Sequence, residues 1–396
     1  MIRHSIILLS ALWASQSQAV NLPAQQLQPY DCDVCDSLSH ETLGTNWALT
    51  NTALGHDTLH RQKSKKYTIS ATLAQLQSGI ALHTLAPEAI IRIVPNHPES
   101  AAKPEFTLRT EKQGTLSLQD ASALFARDEA LNNSAFADNT MALLQLKKEL
   151  GAGTFILQSS AVAGHENDGY TIHVFDQASS AYLSVATDKA RYQYGDTLTA
   201  TISLGDDAIG YPIDIVNANL VTPDGNIRPL TLKRVKKDVY KAQAHLVSGK
   251  GYHGENWYIE AQVDSNIGGK TIKRQAHSAF SYTIPSAAVR SIHQIDKNDP
   301  FRFSASVDVA TGSRYALQVV LFATDKTGNT IPVETVQKGE WLAPGSHGVT
   351  FSFTEERANQ FHAPYFVGAI QLTDYGQLKP VFEYNQQIAI HQLEQE

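Results

Sequence analysis

From Trp257 to Asp264 every second residue is apolar. Trp257, Ile259, Ala261 and Val263 share one phase, and Tyr258, Glu260, Gln262 and Asp264 share the other. A side-chain period of two puts these sets on opposite faces of an extended strand, the pattern of an antiparallel strand with one side buried. Gly268-Gly269 supplies a turn, and residues 271–284 read as the returning strand, ended by Pro285. The apolar phase of such a hairpin must be covered by a second layer. The same alternation recurs at residues 67–73, 89–94, 197–202, 301–307 and 349–353. Gln113-Gly114, Asp224-Gly225 and Thr327-Gly328-Asn329 mark turns between such runs, a spacing that fits sandwiches rather than parallel α/β units. The chain has no short-period tandem repeat, which excludes a solenoid or propeller.

The expectation is an all-β chain of three consecutive immunoglobulin-like β-sandwich domains, over residues 67–186, 187–285 and 286–396. The first carries a helical insertion, because residues 120–150 are rich in Ala and Leu and close on Glu149-Leu150-Gly151. Residues 20–66 form an irregular N-terminal arm or helical lead-in packed on the first sandwich. Tyr192, Trp257, Ile259 and Phe280 share the apolar phase of the middle domain and are expected in its core.

Residues 1–19 have the three parts of a cleaved signal peptide. Arg3 and His4 form a basic start, residues 6–14 an apolar run too short to span a bilayer, and Ser17-Gln18-Ala19 a cleavage site. No later run is apolar enough for a transmembrane segment. The reading is an exported protein, periplasmic or secreted, acting as a monomer. The formal net charge of −7 gives no reason to expect nucleic acid as a partner.

The two cysteines, Cys32 and Cys35, lie in Asp31-Cys-Asp-Val-Cys-Asp36. In an oxidising compartment they are read as a local disulfide. The alternative is a zinc site in which Cys32, Cys35, His56 and His60 supply two thiolates and two imidazoles. His56-Asp57-x-x-His60 also comes one methylene short of the His-Glu-x-x-His pattern of zinc proteases. Otherwise no cofactor is implied. Gly-x-Ser-x-Gly, Walker and Gly-x-Gly-x-x-Gly motifs are absent, and no catalytic residue is assigned. Two basic runs stand out in this acidic chain. Arg61, Lys63, Lys65 and Lys66 close the arm. Arg228, Lys233, Arg234, Lys236, Lys237 and Lys241 follow later. The second run reads either as the solvated edge of a hairpin or as a ligand-binding patch for an anionic surface.

Residues 189–204, with Tyr192-x-x-Gly195-Asp196, resemble the start of macroglobulin-like and immunoglobulin-like sandwiches of exported bacterial proteins. Gly151-Ala-Gly-Thr-Phe-Ile-Leu157 with residues 170–174, Gly312-Ser-Arg-Tyr-Ala-Leu317, and Ala363-Pro-Tyr-Phe-Val367 with residues 370–374 together resemble an uncharacterised, domain-of-unknown-function family of secreted bacterial proteins with consecutive sandwich domains. The resemblance implies export and architecture and supplies no catalytic residue. The functional expectation is a non-enzymatic, adhesin-like protein of the envelope or exterior, with a surface glycan or protein as partner. The alternatives are a zinc-dependent hydrolase using the Cys/His cluster and a passive structural spacer.

Overall fold

The computed structural model describes residues 20–50, 61–127, 140–296 and 298–393; the expected signal peptide lies outside them. Among the described residues the chain is almost entirely antiparallel β, with two short α-helices at Leu73–Ser78 and Glu355–Ala358. Among the described residues no helix is long and apolar enough to cross a membrane. The chain divides into two compact units, one of residues 57–246 and 256–282, the other of residues 1–56, 247–255 and 283–396.

The first of these units contains two sandwiches that share one sheet. Its ten-stranded sheet runs through Ile215–Val221, Trp257–Ile267, Lys270–Thr283, Lys66–Thr72, Gly169–Phe175, Ile90–Pro95, Ala142–Leu146 and Ser122–Arg127. The join between the sandwiches is at Gln275, which pairs with Lys66 and accepts a hydrogen bond from Thr68 Oγ1 at 2.5 Å. Over one half lies a four-stranded sheet of Ile80–Thr84, Gly153–Ser159, Phe106–Thr110 and Gly114–Ser117. Over the other half lies a sheet of five strands: β1 (Arg61–Ser64), β2 (Tyr182–Thr187), β3 (Thr197–Gly205), β4 (Thr231–Lys236) and β5 (Val239–His245), in the spatial order β4-β5-β3-β2-β1. Trp257, Ile259, Ala261 and Val263 are all buried, with Tyr192 and Phe280, as their shared phase requires. Trp257 packs against Phe280 and Tyr282 at ring distances of 6.3 and 4.6 Å.

A fully buried ion pair sits at the seam. Arg274 Nη2 lies 2.7 Å from Asp176 Oδ2, and neither side chain has any exposure. Most of the remaining valences are filled. Arg274 also donates to Ser179 Oγ and to the carbonyls of Ala181 and Lys273, and Asp176 accepts from the amides of Leu85 and Ala86.

Two expectations are corrected. Residues 120–150 were read as helix-rich. Instead, Ser122–Arg127 and Ala142–Leu146 are paired strands, followed by a 3-10 turn at Lys148–Leu150; residues 128–139 lie outside the described set. Ala142, Leu144 and Leu146 are buried in alternation, so the period of two prevails over helix propensity. The described residues 20–50 of the arm, expected on the first sandwich, belong to the unit of the C-terminal domain, while Arg61–Ser64 and Lys66 pair within the other unit. Val20–Asn21 pairs with Ala287–Asp296 in a four-stranded sheet, and Leu43–Ala48 pairs with Thr330–Leu342 in a six-stranded one. One short segment thereby adds a strand to each layer of the C-terminal sandwich.

Trp257→Ala is expected to cost about 3–5 kcal/mol of stability in denaturant unfolding, as large-to-small core changes do; a loss below about 1 kcal/mol would show the ring to be dispensable. Arg274→Ala is expected to cost a similar 3–5 kcal/mol, because it strands a buried carboxylate; an unmoved midpoint would show that the seam does not depend on the pair.

Candidate functional site

The five-stranded sheet turns its apolar phase inward. Leu183 and Val185 of β2, Leu198, Ala200, Ile202 and Leu204 of β3, and Ala242 and Ala244 of β5 are buried. In-register partners project from the same face, so the outward phase can be followed across all five strands. Lys233 of β4 pairs with Lys241 of β5, Lys241 with Thr201 of β3, Thr201 with Ala186 of β2, and Ala186 with Arg61 of β1. The next outward row is Lys236, Val239, Ser203, Ser184 and Lys63. Lys233, Lys236, Lys241, Arg61 and Lys63 are all exposed. Long cations thus stand on both flanks, while the middle strands present only small or hydroxyl-bearing side chains. With strands ~4.8 Å apart, β1 lies about 14 Å from β5 and about 19 Å from β4. The face is a shallow channel running along β2 and β3 between basic walls.

This arrangement opposes folding. Like charges directly opposite on neighbouring strands destabilise a sheet by roughly 0.2–1 kcal/mol. Among the described residues Lys233, Lys236, Lys241 and Arg61 have no acidic partner. Lys63 is the exception, 3.0 Å from Asp207 and 4.2 Å above the Tyr182 ring. Hydrogen bonding to Tyr182 and Asp207 pushes the Lys63 amine up from its ordinary value.

At Lys65 the chain crosses from this sheet to the ten-stranded one, and a cavity of about 820 Å³ opens along the crossing. Lys63, Lys65, Lys66, Tyr182, Phe175 and His277 line it. Two acids at its rim are already engaged. Asp206 accepts from the Tyr211 hydroxyl and the amides of Ala208 and Ile209; Asp207 accepts from Lys63 and Tyr182. These bonds, Tyr211's for Asp206 and Lys63's for Asp207, hold both carboxyls below the usual range. Lys65 Nζ reaches the Gln177 carbonyl at 3.2 Å, and Lys66 Nζ has no partner among the described residues.

The six cations of the second basic run separate in the fold. Lys233, Lys236 and Lys241 share the outward face. Lys237 lies in the turn after β4, and Arg234 takes the opposite phase, over the Tyr240 ring with its guanidinium on the carbonyls of Lys236 and Lys237. Arg228 belongs to Ile227–Pro229 at the edge of the ten-stranded sheet and donates to the His245 carbonyl. Arg61 and Lys63, on the far side of the face, come from the first run. Their alternate spacing was the available signal, since it puts both on one side of a strand.

Cys32 and Cys35 are joined in a disulfide, so neither is a thiolate donor, and no group of three or more metal-binding side chains occurs among the described residues. His56 and His60 lie outside the described residues. The bridge packs on Gly376, where an added Cβ would collide with both sulfurs and the Tyr30 hydroxyl. Beside it the buried Asp374 carboxylate accepts five hydrogen bonds, from Tyr30, Ser286, Ser313 and Gln377 side chains and the Gly376 amide, at 2.6–3.1 Å. Burial, with Asp374 beside it, drives the Tyr30 hydroxyl far above its ordinary range. This cluster fastens the arm and presents no open valence.

Comparison with known proteins divides the chain into three segments. The family models of the N-terminal, central and C-terminal domains of a domain of unknown function, DUF4785, match residues 34–176, 179–283 and 286–391. The crystal structure of a DUF4785 family protein from Legionella pneumophila subsp. pneumophila str. Philadelphia 1 is similar at 40% sequence identity and TM-score 0.81, over 94% of this chain and 99% of that one. The tetra-tandem repeat in the extending region of a large adhesion protein matches at 14% identity and TM-score 0.23, over 89% of this chain and 83% of that one, a likeness that carries no argument. No curated protein matches the chain.

Alkylation of the denatured, unreduced protein is expected to label neither Cys32 nor Cys35. Two labelled thiols together with one bound zinc would replace the disulfide by the metal site.

Proposed function

The chain belongs to the DUF4785 family, and on that premise we propose that it is an exported, non-enzymatic binding protein that holds an anionic partner against the outward face of β1–β5. One observation carries this reading: lysines with no acidic partner among the described residues face each other in register at Lys233 and Lys241, with Arg61 in the same row. Lysines that merely guard an open edge belong on the edge strand. Lys241 is on an interior strand, directly opposite Lys233, so edge protection does not account for it. A passive spacer has no use for the repulsion either. An anion laid on the face relieves it, and affinity is its natural return. The Cys32–Cys35 bridge supports an oxidising compartment at the envelope or outside the cell. The same bridge leaves a Cys/His zinc hydrolase without its thiolates.

Binding to a phosphatidylglycerol vesicle or an acidic polysaccharide is expected at low ionic strength and to weaken as salt is added, since exposed charges are screened within about 8 Å at physiological ionic strength. Replacing Lys233, Lys236, Lys237 and Lys241 together by Ser is expected to lower that affinity at least tenfold and leave the thermal transition nearly unmoved, because all four are exposed. Wild-type protein that binds neither probe at low salt would end this reading.

A further inference from the structure

Resting on the anionic-partner reading, we propose that the occupant of the face is a single chain of an acidic polysaccharide. It lies along β2 and β3 and ends in the groove of Lys63, Lys65, Lys66 and His277. The argument is one of shape and chemistry together. A flat anionic surface, such as a bilayer, needs cations that stand proud of everything else. Here the cations form two walls with a lowered floor of Thr201, Ser203 and Ala186 between them, three to four strand spacings across, while Ser184 in the same phase is buried. That width admits one polymer chain. Walls on both sides suit a polymer that projects acidic groups to either side, and the hydroxyl-bearing floor suits its sugar hydroxyls as hydrogen-bond partners.

The two ends of the channel differ. Beyond Thr199 the Asp188 carboxylate is taken up by the Tyr192 hydroxyl and the Thr199 amide, and the adjacent Lys189 is paired with Asp196 at 3.5 Å. Beyond Ser203 the next outward pair is Gly205 with Tyr182, and the floor leads into the groove. The Ile209 carbonyl oxygen covers Gly205, 2.5 Å from where an added Cβ would stand, so the track leaves β3 there and passes over Tyr182. Tyr182 offers a ring on which a sugar face can stack, and its hydroxyl is fixed on Asp207 at 3.0 Å. Past it lies Lys66, whose amine has no internal partner among the described residues. Lys66 and His277 are therefore placed to take the terminal acidic groups, while Asp206 is held by Tyr211 and backbone amides and Asp207 engages Lys63 and Tyr182 rather than Lys66. A nucleic-acid strand would demand successive aromatic platforms for its bases, and the channel floor has none.

The test uses two probes on the full chain, an oligogalacturonate hexasaccharide and phosphatidylglycerol vesicles. Thr201→Tyr raises the floor without removing a charge, and a strand surface accepts Tyr readily. It is expected to weaken hexasaccharide binding at least tenfold and leave vesicle binding, if any, unchanged. Lys66→Ser with His277→Ala is expected to weaken the hexasaccharide tenfold in the same way, with an unaltered thermal transition for both variants. Hexasaccharide binding that ignores both variants would overturn the inference. Wild-type protein that binds vesicles and not the hexasaccharide would also overturn it, and would leave the anionic face standing with a membrane as its partner. Binding of neither probe would remove both readings.

Discussion

The buried pair of Asp176 and Arg274 is the interaction on which the larger unit depends. Two charges without solvent exposure carry a desolvation penalty of several kcal/mol each, and mutual attraction offsets it only when further hydrogen bonds use the remaining donors and acceptors. Here three further bonds of Arg274 and two of Asp176 engage four of the five guanidinium N–H groups and both carboxylate oxygens. Asp176 directly follows the strand Gly169–Phe175, and Arg274 directly precedes the Gln275 that meets Lys66. The pair therefore fixes the point at which two sandwiches become one sheet. It also fixes the groove, whose lining residues Phe175, Gln177 and Ala276 are close neighbours of the two charged residues in sequence.

That seam gives the basic face its reach. A single hairpin such as β4–β5 could carry lysines only on one flank. The second flank comes from β1, a strand supplied by the segment that precedes the first sandwich and pairs with β2. Because β1 and Lys66–Thr72 are separated by Lys65 alone, the channel and the groove share a wall, and the groove inherits the rigidity of the sheet. Fifteen-odd ångströms of small side chains between two basic walls follow from register, which is set in turn by the buried phase of the same strands.

Much of this was legible in the sequence, and the part that was not has a physical cause. The hairpin of Trp257 and Phe280, its turn at Gly268-Gly269 and the burial of Tyr192 follow from a period of two, which is local. The extent of the basic face does not, because pairing Ala186 with Arg61 and Thr201 with Lys241 joins segments far apart in the chain. Two basic runs were visible, yet nothing in either says that they flank one sheet, or that Arg234 turns away while Lys233 and Lys236 face outward across an irregularity in the register between Arg234 and Lys236. The strands at Ser122–Arg127 and Ala142–Leu146 were obscured by Ala and Leu, residues that favour helix unless a sheet covers alternate positions. The arm was misplaced for a related reason. Leu43–Ala48 is exposed along its whole length, so it has no buried phase by which its partner sheet could be read.

The arm also changes what the disulfide means. From sequence, Cys32–Cys35 marks a compartment. In the fold it closes so short a loop that chain entropy gives it less than the ~3 kcal/mol expected for a loop of 15 residues. Its larger effect is one of position. The bridge rests on Gly376 beside the Tyr30 hydroxyl, and that hydroxyl is one of five donors to the buried Asp374 carboxylate. Loosening the arm would remove a donor from a buried carboxylate, a penalty of about 1–3 kcal/mol that falls on the C-terminal sandwich rather than on the arm. The bridge and the carboxylate thus support each other. Both units of this chain use the same device, a buried acid with a complete set of donors, at the place where a distant segment must be held.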